Sequence, residues 1–266
     1  MKLSFMTWSC PDWDCNQILK AAKKYDYQGV EIRVECNQKH KIELNLSKKD
    51  RSLVKRMFKE EGIEIPCIAT SLQFAIPDDK ERRENIEKLK KYIELASDIG
   101  SPYIRVFGGN FMPLEPKVAA QKCGLALREA AEFAEGTDAE ILLETHDFFS
   151  VSNRARQVIK EANHRKVNIL WDIMHPQREM EDVEETYNHL RGFVRHLHIH
   201  DGFYSPEGKI EVCLLGEGII DHEMPMWLLK SDNFRGYFSL EIIGKGEPEK
   251  WFKQYAEKFR EIESSL

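Results

Sequence analysis

Short apolar runs recur along the chain with polar, helix-periodic stretches between them. The strand-like runs are "KLSFMTW" (residues 2–8), "GVEIRV" (29–34), "IEIPCIAT" (63–70), "PYIRVFGG" (102–109), "EILLET" (140–145), "VNILWD" (167–172), "VRHLHIHD" (194–201) and "GYFSLEII" (236–243). Charged stretches such as "DWDCNQILKAAKKYD", "DDKERRENIEKLKKYIELASDIG" and "EPKVAAQKCGLALREAAEFAEG" follow them, several opened by Asp or Pro and closed by Gly, the start and stop signals of helices. Strand followed by helix, repeated, implies a parallel sheet, because parallel strands cannot be joined by tight hairpins. Eight such units predict an α/β fold, a single (β/α)8 TIM barrel over residues 1–266. An open doubly wound sheet is disfavoured, since no GxGxxG turn follows the first strand.

Composition narrows the class. The chain is 42% hydrophobic and 32% charged, ordinary for a globular protein with a sizeable core. A net charge of -6 argues against a protein built to grip a phosphate backbone, so no nucleic-acid partner is expected. Six scattered cysteines form no CxxC pair and read as reduced thiols. The start "MKLSFMTWSCPDWD" lacks the apolar core of a signal peptide, and no run approaches the roughly 18 apolar residues of a membrane span. A cytoplasmic protein without a membrane partner is expected; homo-oligomerisation is left open.

The chemistry is expected at the carboxyl ends of the strands. There the fifth run ends "LLETHD", the sixth "LWDIMH", the seventh "HLHIHD" and the eighth "SLEII". Glu144, Asp172, one or more of His196, His198 and His200, and Glu241 therefore stand at neighbouring strand ends. An acid at one strand end is commonly a helix cap. Glu144 and Glu241, however, are flanked by apolar residues, and leaving them unpaired in a barrel mouth would cost several kcal/mol by rough estimate. A divalent cation would offset that cost. Two Glu, one Asp and one His form an oxygen-rich set that suits Mn²⁺, Mg²⁺ or Co²⁺ better than a structural zinc site, with Zn²⁺ an alternative. Such a site fits a neutral, hydroxyl-bearing substrate. On a strand, His196, His198 and His200 share one face at about 6.6 Å intervals, so only one reaches a given ion.

The segments "LLETHD", "LWDIMH", "HLHIHD", "LGEGIIDHE" and "GYFSLEI" resemble those of the xylose isomerase-like superfamily of sugar-phosphate isomerases and epimerases, which includes ketose 3-epimerases, hydroxypyruvate isomerases and inosose-processing enzymes. The resemblance implies that Glu144, Asp172, His198 (in "HIHD") and Glu241 bind one metal ion and that Glu144 and Glu241 double as the acid/base pair. His175 matches the family's DxxH histidine, which meets substrate oxygens, and His146 matches a residue of some members. His200 is expected to face substrate, His196 to lie in the core, and Trp8, Arg33 and Arg105 to wall the pocket, with Trp8 and Arg105 as substrate-binding candidates.

The implied activity is metal-dependent isomerisation or epimerisation of a ketose or related keto-polyol, by proton transfer through a cis-enediolate. A carboxylate base contributes about 3 to 5 kcal/mol, short of the roughly 8 kcal/mol that a modest enzyme supplies, so the metal is expected to provide the rest. A metal-dependent dehydratase of a keto-inositol or dehydroshikimate-like compound is the alternative. An apurinic-site endonuclease is disfavoured because "IATSLQF" and "VFGGNF" offer no extra histidines for a metal cluster.

Overall fold

The structure, a computed structural model, describes residues 1–242 and 247–266. Eight parallel strands close into a barrel: β1 (Lys2–Met6), β2 (Gly29–Arg33), β3 (Cys67–Gln73), β4 (Tyr103–Phe107), β5 (Glu140–Glu144), β6 (Val167–Asp172), β7 (Val194–Ile199) and β10 (Tyr237–Leu240). They neighbour one another in chain order, and β10 closes the ring on β1, with Ser4 opposite Ser239. This is the (β/α)8 barrel that the alternation predicts. The helices are α1 (Cys15–Lys24), α2 (Lys48–Glu60), α3 (Asp79–Ile99), α4 (Pro116–Phe133), α5 (Ser152–Ala162), α6 (Met174–Arg178), α7 (Val183–Leu190), α8 (Glu223–Ser231) and α9 (Pro248–Ser265). Among the described residues no helix is long and apolar enough to cross a membrane.

Local signals set the helix ends. Asp14 and Gln17 form a reciprocal capping box at the start of α1; Asp78 caps α3, which stops at Gly100 in the left-handed region at φ 84°. The core lies chiefly between barrel and helices. On α9, the Phe252 ring stacks 4.2 Å from Phe5 of β1, and Phe259 lies 5.4 Å from Phe238 of β10.

Two elements depart from the sequence reading. The third strand begins at Cys67 rather than at residue 63, because Pro66 has no N–H to give to a ladder; upstream of it only Glu64 bridges to Gly29. The seventh run breaks after Ile199. Asp201–Tyr204 (β8) and Ile210–Cys213 (β9) then pair antiparallel as a hairpin outside the barrel. Residue 243, at the end of the eighth predicted strand, lies outside the described residues.

The loop after β2 contains a histidine that is neutral by construction. His40 Nδ1 accepts the Ile42 N–H at 2.9 Å, while Nε2 lies 2.9 Å from Gln38 Oε1 and 3.2 Å from the Arg33 carbonyl. Burial pushes its pKa down to about 4. The unfolded chain, with a histidine pKa near 6.5, then binds the proton more readily between about pH 6.5 and 4. Stability contributed here is present above that window and is lost as pH falls through it. In urea titrations, wild type should lose up to about 3 kcal/mol more than His40→Gln over this range. Parallel curves for the two proteins would contradict it.

Candidate metal centre

Strand geometry gathers the acids. Glu144 and Asp172 are the last residues of β5 and β6, His198 is the penultimate residue of β7 and pairs in register with Asp172, and Glu241 directly follows β10. One ligand-type atom from each of Glu144, Asp172, His198 and Glu241 falls within 4.8 Å of the others, and all four residues are buried. His198 Nδ1 faces the group, 3.2 Å from Glu144 Oε1 and 3.1 Å from Glu241 Oε2. Asp172 is aimed by the backbone. Its Oδ1 accepts the N–H groups of Met174 (2.9 Å) and His175 (3.2 Å), which turns Oδ2 toward His200 Nε2 at 2.8 Å.

The electrostatics are those of a charged knot held in place by its neighbours. Burial raises the Glu144 carboxyl, but the Arg105 guanidinium and the His198 imidazole overcome it and hold Glu144 down to about 2. Against the same desolvation, His175 and His200 hold Asp172 well below the usual carboxylate range, and His198 lowers Glu241. His198 itself is raised by Glu31, Glu241 and Glu144, which together outweigh its burial.

The donor set fits a divalent cation. Three buried carboxylates face one another, with one arginine beside them. Glu144 Oε2 is a buried oxygen without a hydrogen-bond partner. Arg105 Nε stands 3.0 Å from it, close enough for an ion pair, but the two are not aligned for a hydrogen bond and Nε is likewise unpartnered. Three oxygens and one imidazole nitrogen would hold Mn²⁺, Mg²⁺, Co²⁺ or Zn²⁺.

The other expected residues are distributed around this group. His175 lies 3.7 Å from Asp172 Oδ2 and edge-on to His146, with ring centres 4.4 Å apart. Asp147, together with Glu144, raises the His146 pKa to about 9 against the pull of burial. His200 is expected to face substrate; it is almost fully buried and its Nε2 goes to Asp172. Arg105, expected in the pocket wall, is 1% exposed: its guanidinium gives a hydrogen bond to the Thr70 carbonyl at 2.7 Å, sits 4.1 Å from the Phe107 ring centre and backs Glu144. Its charge is therefore turned inward. Trp8 is half-buried, with the Arg33 guanidinium 5.1 Å from its ring. His196 lies in the barrel interior.

Two residues of consequence escape the sequence reading. Glu31 of β2 is fully buried beneath the cluster, with Oε1 3.0 Å from His198 Nε2 and Oε2 2.8 Å from His196 Nε2. Asp201, the aspartate of "HIHD", is no part of the cluster. Its carboxylate accepts the backbone N–H groups of Gly202 (2.8 Å), Gly216 (2.8 Å), Gly218 (3.1 Å) and Ile220 (3.2 Å), fastening both ends of the hairpin. A Cβ at position 218 would collide with this carboxylate, so glycine is required there.

A family model described as the xylose isomerase-like TIM barrel matches residues 19–262. The chain belongs to that family. It is 23% identical over 231 residues to the L-ribulose-5-phosphate 3-epimerase UlaE of Escherichia coli K12, covering 84% of this chain and 80% of that one. Among solved structures, the IOLI protein with a bound zinc atom superposes with a TM-score of 0.85 at 20% identity, covering 100% of this chain and 99% of that one. The probable 3-DHS dehydratase AsbF of Bacillus anthracis gives 0.79 at 19% identity, covering 98% and 99%. These structural likenesses establish the shared fold.

Proposed function

We propose that this xylose isomerase-like barrel is a divalent-metal-dependent epimerase or isomerase of a ketose or related keto-polyol, with the cation held by Glu144, Asp172, His198 and Glu241. The observation that carries the reading is the convergence of those four buried residues, from four adjacent strands, at the carboxyl end of the barrel. The kinship with a sugar 3-epimerase supports the reaction class. The bound cation would supply positive charge beside the substrate's carbonyl and neighbouring hydroxyl oxygens, which acidifies the adjacent C–H bond.

The chain's own residues do the rest. Arg105 and His198 keep Glu144 ionised at neutral pH, so its carboxylate is ready to take the proton from the carbon next to the carbonyl. Glu241, which reaches the same His198 nitrogen from the end of β10, would take a proton from solvent and deliver it to the carbon from the other side, while the proton held by Glu144 is released to solvent. Asp172, fixed by two backbone N–H groups and His200, holds its position while one glutamate removes a proton and the other supplies one.

The deciding experiment incubates metal-loaded protein with ketoses and ketose phosphates in deuterated water. Solvent deuterium should appear at the carbon beside the carbonyl. Loss of water from a keto-polyol would indicate the dehydratase instead, and no exchange with any compound, despite bound metal, would overturn the proposal. The same site predicts metal-linked stability. A cation at about 100 times its Kd stabilises the folded state by about 2.7 kcal/mol, a rise in Tm of about 5–10 °C for a chain of this size. Chelation should reverse the rise, and Asp172→Ala should not show it.

A further inference from the structure

Resting on the metal reading above, we propose that Glu31 is the positioning residue of the centre: its carboxylate accepts the Nε2–H of His198 and so presents the Nδ1 lone pair to the cation.

The surroundings of Glu31 carry this. Every residue of β2 is buried, and Glu31 itself is 0% exposed. Among the described residues no lysine or arginine lies within ion-pair distance of it; its partners are two imidazoles, His196 Nε2 at 2.8 Å and His198 Nε2 at 3.0 Å. Burial of the Glu31 carboxylate is costly, and the two imidazoles offset it: His198 and His196 hold it well below the usual carboxylate range against its desolvation.

His198 connects Glu31 to the carboxylates of the cluster. One ring nitrogen faces Glu31 and the other faces Glu144 and Glu241. A neutral imidazole carries one proton. With that proton on Nε2 toward Glu31, Nδ1 turns a lone pair toward two more carboxylates, an arrangement relieved by a positive charge at Nδ1: a second proton or, in its place, the metal ion. Carboxylate, imidazole and cation then stand in line, each fixing the orientation of the next. His196 occupies the second oxygen of Glu31, which stops the carboxylate from rotating away.

The competing assignment is a second cation among Glu31, His196 and His198, whose ligand atoms also converge. The nitrogen–oxygen separations of 2.8 and 3.0 Å are those of N–H···O bonds, which favours the positioning role.

The test uses Mn²⁺ as probe, with chelator competition for affinity and metal analysis for stoichiometry. Wild type should bind one ion per chain, Glu31→Gln one ion with roughly 10- to 100-fold weaker affinity, and Glu31→Ala weaker still, because Gln keeps an acceptor and the volume. Unchanged affinity in Glu31→Gln would overturn the inference. So would two ions in wild type with one lost in the variant. Parallel measurements on Asp172→Ala separate the two levels: if that variant binds as wild type does, the metal reading itself fails, whereas its loss beside an unaffected Glu31→Gln removes only the role of Glu31. Should the position 31 variants not fold, ¹⁵N NMR of the Mg²⁺-loaded wild type decides. A His198 proton on Nε2 supports the inference, and one on Nδ1 overturns it.

Discussion

Replacing Glu144 or Glu241 by Gln should leave a folded protein that still takes up its cation but turns over at least about 100-fold more slowly. The amide keeps an oxygen ligand and nearly the same volume, so the loss falls on the proton transfer. Both side chains meet the same His198 nitrogen from strands on opposite sides of it, which suits them to opposite faces of a planar intermediate. The two losses need not be equal, since an epimerase uses its two groups in reverse order for its two substrates. Turnover and metal content measured on the same preparation check this. A metal-replete variant that exchanges the substrate α-proton at the wild-type rate would shift the role to another group, with His175 and His200 the first to examine.

Arg105→Met is expected to destabilise the protein by about 3–5 kcal/mol, the range found when one partner of a buried ion pair is removed. The guanidinium is buried, and without it Glu144 keeps a negative charge in a site that already contains Asp172 and Glu241. Adding Glu144→Gln to Arg105→Met should recover part of the loss, because the stranded charge is removed together with its partner. Urea denaturation of the metal-free proteins measures both effects. A loss under about 1 kcal/mol for Arg105→Met would show that the pair contributes little, as exposed pairs do.

The barrel was legible in the sequence because strands and helices alternate eight times with distinct periodicities, and the cluster because its acids end runs that are otherwise apolar. Glu31 was hidden by a familiar pattern. "GVEIRV" alternates apolar and polar residues like a strand with one wet face, a pattern in which Glu31 draws no notice beside Arg33, the expected pocket-wall residue. In an all-parallel barrel neither face is wet, so a mid-strand glutamate must lie in the interior and needs a partner there; that signal was available. The hairpin was obscured because β7 runs on into β8 with a single residue between them, although "SPEG" between "FY" and "IEV" is a turn sequence. His200 directly follows β7, whereas Arg105, expected at the end of the fourth strand, is the middle residue of β4; what both touch depends on Asp172 and Glu144, which only the folded barrel brings beside them.

The clamp at Asp201 has a bearing on how such a barrel can change over generations. One carboxylate gathers both roots of the hairpin, so the span between them is anchored at its base and independent of its tip. Residues can be gained or lost around Ser205–Lys209, where a backbone hydrogen bond of 2.7 Å closes the turn, without shifting β7 or the ligand it carries. The reaction chemistry and the shape of the rim can thus be inherited separately, and a lineage can remodel one while conserving the other.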